Sequence, residues 1–209
     1  MKGLILKDLY MTRKYFRSYL YIMILFLALS YASSENLFVV FYPGLLATMI
    51  PVNLLAYDER SHWDIYCGTL PVSRDMVVSA KYLMELMLMG GVYLLTLSVQ
   101  AVRMVVNGEF FWENFLVLAS LIWMVHLFAG SITLPFMFKL GVEKGRMAYY
   151  VMIGIICGGA AISGMAFGDN LQATIPFGLA LIIGCVFAAA VFAASWYLSI
   201  LFYRKRELH

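Results

Sequence analysis

Six stretches of this chain approach the length of a membrane crossing with hardly a charge inside them, at roughly residues 17–33, 38–57, 82–102, 115–138, 148–167 and 175–203. A helix needs about 20 predominantly apolar residues to span a hydrocarbon core. A transmembrane strand would alternate apolar and polar side chains, whereas these runs are continuous. Inside lipid, such a run can satisfy its own N–H and C=O groups only as a helix. Charged residues make up 13% of the 209-residue chain, against about 25% in a soluble domain. No water-bounded core could hide so much apolar side chain. The expected fold is an all-α integral membrane protein, with residues 1–209 forming a single transmembrane domain of six helices. The first stretch is short and can borrow aromatic residues from Tyr15 onward. The last is long enough to tilt or to emerge into the cytoplasm.

The basic residues are distributed on one side of this pattern. Lys2, Lys7, Arg13, Lys14 and Arg17 precede the first span, and Arg60, Arg74 and Lys81 separate the second from the third. Lys139, Lys144 and Arg146 separate the fourth from the fifth, and Arg204, Lys205 and Arg206 follow the sixth. Arg103 alone falls on the other side. Lys and Arg collect on the cytoplasmic face of a membrane protein, so both termini are expected inside. The outer loops, at 34–37, 105–114 and 168–174, are short and hold nothing folded. Residues 1–17 are charged and lack an A-x-A-like cleavage site, so no cleavable leader is expected. Cys67, Cys157 and Cys185 are expected to form no disulfide.

Residues 1–16 read as a weakly amphipathic helix. Ile5, Leu9, Thr12, Phe16 and Tyr19 follow one stripe, and Lys7, Asp8, Met11, Lys14 and Ser18 lie nearer the opposite side. Such a helix suits the cytoplasmic headgroup layer, its cations toward anionic lipid; the alternative is a plain extension of the first span. Pro43-Gly44 and Pro51 interrupt the second span, as a transport hinge or as a static kink. Gly154/Gly158, Gly159/Ser163 and Gly164/Gly168, with Ala188–Ala190 and Ala193–Ser195, are small residues that allow close helix packing, within one subunit or across a dimer face. Polar residues in the spans are few: Asn53, Gln100 and His126. They mark a pathway or are hydrogen-bonded packing residues. Gln100, Arg103 and Asn107 share a face at the outer end of the third span, where Arg103 can snorkel toward Glu109 or Glu113. Glu85 can pair with Lys81 at i, i+4. The methionines, including Met84, Met87 and Met89, are expected to face lipid or fill the core.

Catalytic signatures are missing. There is no G-x-x-x-x-G-K-[ST] phosphate loop, no H-E-x-x-H, and no clustered Cys and His for zinc. Tyr57-Asp58 and Gly168-Asp169 resemble parts of the intramembrane aspartyl protease motifs. The expected topology puts these two carboxylates on opposite faces, where they cannot share a water.

The longest cytoplasmic connection, residues 58–81, carries most of the functional signal. Trp63, Tyr66 and Leu70 fall on one helical stripe, Gly68 and Pro71 end it, and Ser73 can cap the next helix. A short aromatic helix under the membrane suits docking in a groove of a soluble partner; the alternative is interfacial anchoring. Glu59, Trp63, Tyr66, Thr69-Leu70-Pro71-Val72-Ser73-Arg74 and Ala80-Lys81-Tyr82 resemble the corresponding loop of small bacterial ABC-2-type permeases. So do Phe138-Lys139-Leu140-Gly141-Val142-Glu143-Lys144-Gly145-Arg146, the opening Met1-Lys2-Gly3-Leu4-Ile5-Leu6-Lys7-Asp8 and the closing Tyr203-Arg204-Lys205-Arg206-Glu207. The subgroup resembled includes the phenol-soluble-modulin exporter permeases.

That resemblance implies an N-terminal elbow helix and a coupling helix between spans two and three. It also implies two permeases, identical or paralogous, assembled with two separate ATP-binding subunits. ATP and Mg²⁺ would then sit on the partner, and this chain would hold no cofactor and not be an enzyme. Glu59, Arg60, Trp63 and Tyr66, supported by Leu70 and Pro71, would touch the ATPase, with Gly141, Glu143, Lys144 and Arg146 in a second contact. Pro43, Pro51, His126, Gln100 and Arg103 are the candidates for a pathway or hinge. The implied activity is outward movement of an amphipathic or hydrophobic cargo, such as a peptide, across the bacterial cytoplasmic membrane. No nucleic acid is expected as a partner. The competing readings are a gradient-driven secondary transporter, which would need a deep charged site, and a non-transporting membrane scaffold or immunity component.

Overall fold

In a computed structural model the placement of residues 2–15, 17–32, 37–108, 110–142, 144–145, 147, 150–151, 154 and 177–205 is described. Seven helices account for nearly all of them: α1 (Lys2–Tyr15), α2 (Arg17–Ala32), α3 (Leu37–Arg60), α4 (Trp63–Gly68), α5 (Arg74–Val106), α6 (Trp112–Leu140) and α7 (Phe177–Lys205). No strand occurs among the described residues. Four of the helices, α3, α5, α6 and α7, are long and apolar enough to cross a membrane, and α2 is a shorter apolar helix. The fifth expected span, 148–167, falls largely outside the described residues, as do Cys157 and the glycine pairs beyond Gly154. Cys67 and Cys185 are free thiols.

The bundle is built around α3. Its Leu45, Ala47, Ile50, Val52 and Leu54 are almost fully enclosed, because α2, α5 and α6 all pack on it. The helix runs through both Pro43 and Pro51 without a break. Side chains of α7 follow a narrower logic. Ala188, Phe192, Ser195 and Ser199 face inward at helical spacing, while Ile182, Ile183, Val186 and Phe187 face outward. A helix apolar all round with one buried stripe is what a lipid-facing span requires.

Polar groups weld the seams. The Tyr82 hydroxyl lies 2.8 Å from Ser195 Oγ and 2.7 Å from Ser199 Oγ. Ser195 Oγ donates in turn to the Ser131 carbonyl at 2.7 Å, joining α5, α6 and α7. Asn53 Nδ2 donates to the Tyr19 hydroxyl at 3.0 Å and to its own helix at Met49. Gln100 Nε2 donates to Ser30 Oγ across α5 and α2. Asn53 and Gln100 are thus seam bonds between helices.

The connections near α4 follow local chemistry. Ser73 caps α5 by accepting from the Met76 N–H at 3.3 Å, as the sequence implied. Gly68 ends α4, so Leu70 lies beyond the helix and off the expected Trp63 and Tyr66 stripe. His62, at φ 49°, turns the chain from α3 into α4. Gly141, at φ 80°, closes α6 in a conformation that glycine adopts without a Cβ clash.

Orientation of α1 departs from expectation. Its buried residues are Asp8 and Thr12, while Leu6, Leu9 and Tyr10 are exposed. The face carrying Lys7 and Asp8 turns into the protein and not toward lipid headgroups. The reason is a set of opposite charges waiting there.

Candidate functional site

Four charges from three helices meet beneath the bundle. Lys7 Nζ lies 2.6 Å from Asp58 Oδ1 and 3.3 Å from Asp8 Oδ1. Lys81 Nζ lies 2.8 Å from Asp8 Oδ2 and 2.7 Å from Asp58 Oδ2. Two cations and two anions therefore bridge one another, with no net charge left over. Lys81 and Asp8 are only 3% and 1% exposed at the side chain. A buried charge is tolerated when it is paired and its hydrogen-bonding capacity is met, and this quartet meets both conditions. It locks the start of α1, the end of α3 and the first half of α5 together.

The quartet corrects one local expectation. Lys81 does not pair with Glu85 one turn along; it points to Asp8 and Asp58. An i, i+4 pair on a helix surface stabilises by only about 0.2–0.5 kcal/mol, and two buried carboxylates outcompete it. Asp58, set aside with the protease motif, belongs to this structural cluster.

From the quartet the network reaches α4. Lys7 Nζ sits 4.3 Å from the centroid of the Trp63 ring, a cation–π contact. Trp63 in turn tilts against Tyr66 at 5.4 Å between centroids. Trp63 is half-buried, while Tyr66 and Ile65 are exposed. Trp63 therefore anchors α4 to the bundle and leaves Ile65 and Tyr66 on the outer surface. Pro71 is exposed and Leu70 half-buried.

A second brace begins one residue after Asp58. Glu59 Oε2 accepts the Val142 N–H at 3.1 Å, tying the end of α3 to the chain just past α6. Ala56, Glu59, Arg60, Leu140, Gly141, Val142 and Lys144 surround an open groove of about 350 Å³. Two segments singled out separately in the sequence thus meet: Glu59 and Arg60 from one, Gly141 and Lys144 from the other. Arg60 and Lys144 are exposed. The side chains of Glu143 and Arg146 lie outside the described residues. At the far edge Arg204 grips Asp75 through two nitrogens, Nε at 2.8 Å and Nη2, and Arg74 Nη1 donates to the Arg204 carbonyl at 2.9 Å. At this end of the bundle α1, α3, α5, α6 and α7 are braced around α4.

Within the spans the candidates separate. Pro43 and Pro51 are buried in α3, Pro43 beside a glycine that receives His126. A Cβ on Gly44 would stand 1.5 Å from His126 Nε2. Neither ring nitrogen of His126 has a hydrogen-bond partner among the described residues. It is a packed histidine, and not the hydrogen-bonded one that the sequence allowed. Arg103 is half-buried, with Nε and Nη1 unpartnered, and no ion pair joins it to Glu113 among the described residues; Glu109 lies outside them. Met84 and Met89 are buried, while Met87 is exposed.

The residues that sequence reasoning missed are Lys7, Asp8, Asp58, Lys81 and Glu85. Counting only Asn53, Gln100 and His126 as polar within the spans overlooked Glu85, which is 1% exposed between α5 and α6. A usable signal existed. Lys81, Glu85, Thr96 and Gln100 share the buried stripe of α5, polar residues at helical spacing on a face that should be apolar.

A family model described as ABC-2 family transporter protein matches residues 3–204. No curated protein matches the chain, and no solved structure does. The match takes in nearly all of α1, every long apolar helix and the braced end of the bundle. The chain belongs to the ABC-2 transporter family, whose members are membrane components of transport and are not themselves catalytic.

Proposed function

We propose that this chain is the permease subunit of an ATP-binding-cassette exporter in a bacterial cytoplasmic membrane. On this reading it has six spans with both termini inside, works beside a second permease copy, and is driven by a separate ATPase that carries ATP and Mg²⁺. The cargo is amphipathic or hydrophobic, with a peptide the leading candidate. Family membership supports the class. The observation that carries the coupling role is the link from α4 through Trp63 and Lys7 into the buried quartet.

The mechanism follows from stiffness. Closure of the motor dimer pushes on Ile65 and Tyr66. Trp63 passes that displacement to Lys7, and the quartet passes it to α1, α3 and α5 together. Removing one partner from a buried ion pair costs about 3–5 kcal/mol, so the three helices move as a unit and do not slide apart. The groove between Arg60 and Lys144 offers the motor a second hold. The spans then alternate between inward and outward openings, with ATP supplying the preference for one state.

Purification of the full-length chain from its native membrane tests this. A phosphate-loop ATPase is expected to accompany it, and the double substitution Ile65→Ala with Tyr66→Ala is expected to cut its yield at least tenfold. Unchanged yield in the double variant rejects the α4 contact. Absence of any ATPase beside the wild-type chain rejects the permease reading in favour of gradient-driven transport, which the buried Glu85 would then serve.

A further inference from the structure

We propose that Glu85, with His126 one turn deeper, forms an intramembrane binding site for a cationic cargo group, an ammonium. The proposal deepens the exporter reading above and rests on it for the cargo's direction of travel.

Glu85 lies within the transmembrane part of α5, one turn inward from Lys81. Neither carboxyl oxygen has a hydrogen-bond partner among the described residues. Such a group in an apolar seam costs free energy, and an ionisable residue in this position marks a functional site by default. Its carboxyl rests on α6 at Gly130, where an added Cβ would stand 2.3 Å from Oε1. His126 is four residues from Gly130 along α6, a rise of about 6 Å, and is also 1% exposed. It lies against a second glycine notch, at Gly44 of α3, in the adjoining seam. A ladder results, running from the cytoplasmic quartet to Glu85 and then to His126.

Nearby donors are already committed. Lys81 and Lys7 are held by Asp8 and Asp58. The Tyr82 hydroxyl is engaged by Ser195 and Ser199. Ser131 and Thr133 return their hydroxyls to the Leu127 and Ala129 carbonyls of their own helix. Among the described residues this leaves the Glu85 carboxyl unpartnered, with the unpaired imidazole of His126 packed nearby on α6, a pair that favours a hydrogen-bond-donating cation and disfavours an anion. The seam is also suited to parting, since α5 meets α6 more sparingly than it meets α3 or α7. Opening it from the cytoplasmic side would bring Glu85 into contact with cargo before His126.

Radiolabelled dodecylamine is the probe, with dodecanol as its neutral counterpart, on the full-length chain in phosphatidylcholine nanodiscs. Saturable dodecylamine binding is expected, at least tenfold tighter than dodecanol. Glu85→Gln, nearly isosteric, should weaken it tenfold or more without lowering the melting temperature, and Glu85→Asp should stay within threefold of wild type. Equal affinity in wild type and Glu85→Gln, absence of saturable binding, or no preference over dodecanol would each overturn the site. If Glu85→Gln melts early, protection of Glu85 in the wild-type chain from modification by a hydrophobic carbodiimide when dodecylamine is present decides instead, and no protection overturns the site. ATPase co-purification on the same preparations separates the two ideas. An accompanying ATPase with Glu85-independent binding removes the cation site and leaves the permease; Glu85-dependent binding without an ATPase removes the permease and leaves a cation site.

Discussion

At the scale of single residues, burial decides which charges matter. Lys81 and Arg204 both make two contacts with carboxylates, but Lys81 is 3% exposed and Arg204 58%. Exposed pairs are screened and entropically costly to hold, whereas removing Lys81 leaves two largely buried carboxylates to share the single cation of Lys7. Lys81→Met is therefore expected to destabilise the detergent-solubilised chain by about 3 kcal/mol or more. Arg204→Ala should leave its melting temperature nearly unchanged. Thermal unfolding of the two variants side by side checks this, and an equal shift in both would refute the ranking by burial.

Between elements, glycine sets how closely helices approach. The α3 and α6 seam closes because Gly44 presents no Cβ to the His126 ring, and the α5 and α6 seam closes likewise at Gly130. Gly44→Ala forces a buried imidazole out of its place, and overpacking of this kind costs about 1–3 kcal/mol. Because the clash is with one side chain, His126→Ala in the same chain should recover most of the loss. A double-mutant cycle of melting temperatures reads the coupling, and strict additivity would show that the two do not meet. The same reasoning gives α4 its form. Six residues are too few for a stable isolated helix, so its shape depends on Trp63 being held by Lys7 and on the His62 turn.

For the whole molecule, the polarity of the chain across the membrane is the property on which the functional reading turns. The braced face, with α4 and the Arg60 and Lys144 groove, must meet a cytoplasmic motor. In intact cells a membrane-impermeant maleimide is expected to label Asn107→Cys. His62→Cys should react only after permeabilisation. The reverse pattern would place the platform outside and end the ATPase proposal. Both sites are exposed, so reactivity reports sidedness and not burial.

The sequence by itself determined that this chain is helical and lipid-embedded, and it pointed to the loop between α3 and α5 as the place of contact. Those properties are written in continuous apolar runs, in Gly68 and Ser73 as helix punctuation, and in residues close together along the chain. Trp63, Tyr66, Glu59 and Gly141 could be put forward as contact residues for the same reason. Tertiary structure alone decided the quartet, because Lys7 and Asp58 are 51 residues apart and Asp8 and Lys81 are 73 apart. Local rules gave Lys81 its nearest acidic neighbour and gave α1 a lipid-facing charge. Packing chose otherwise, since once Lys81 and Asp8 are withdrawn from water the stable pairing is the one that neutralises all four charges together. It also left Glu85 without a hydrogen-bond partner among the described residues, a fact that only the positions of α5 and α6 could reveal.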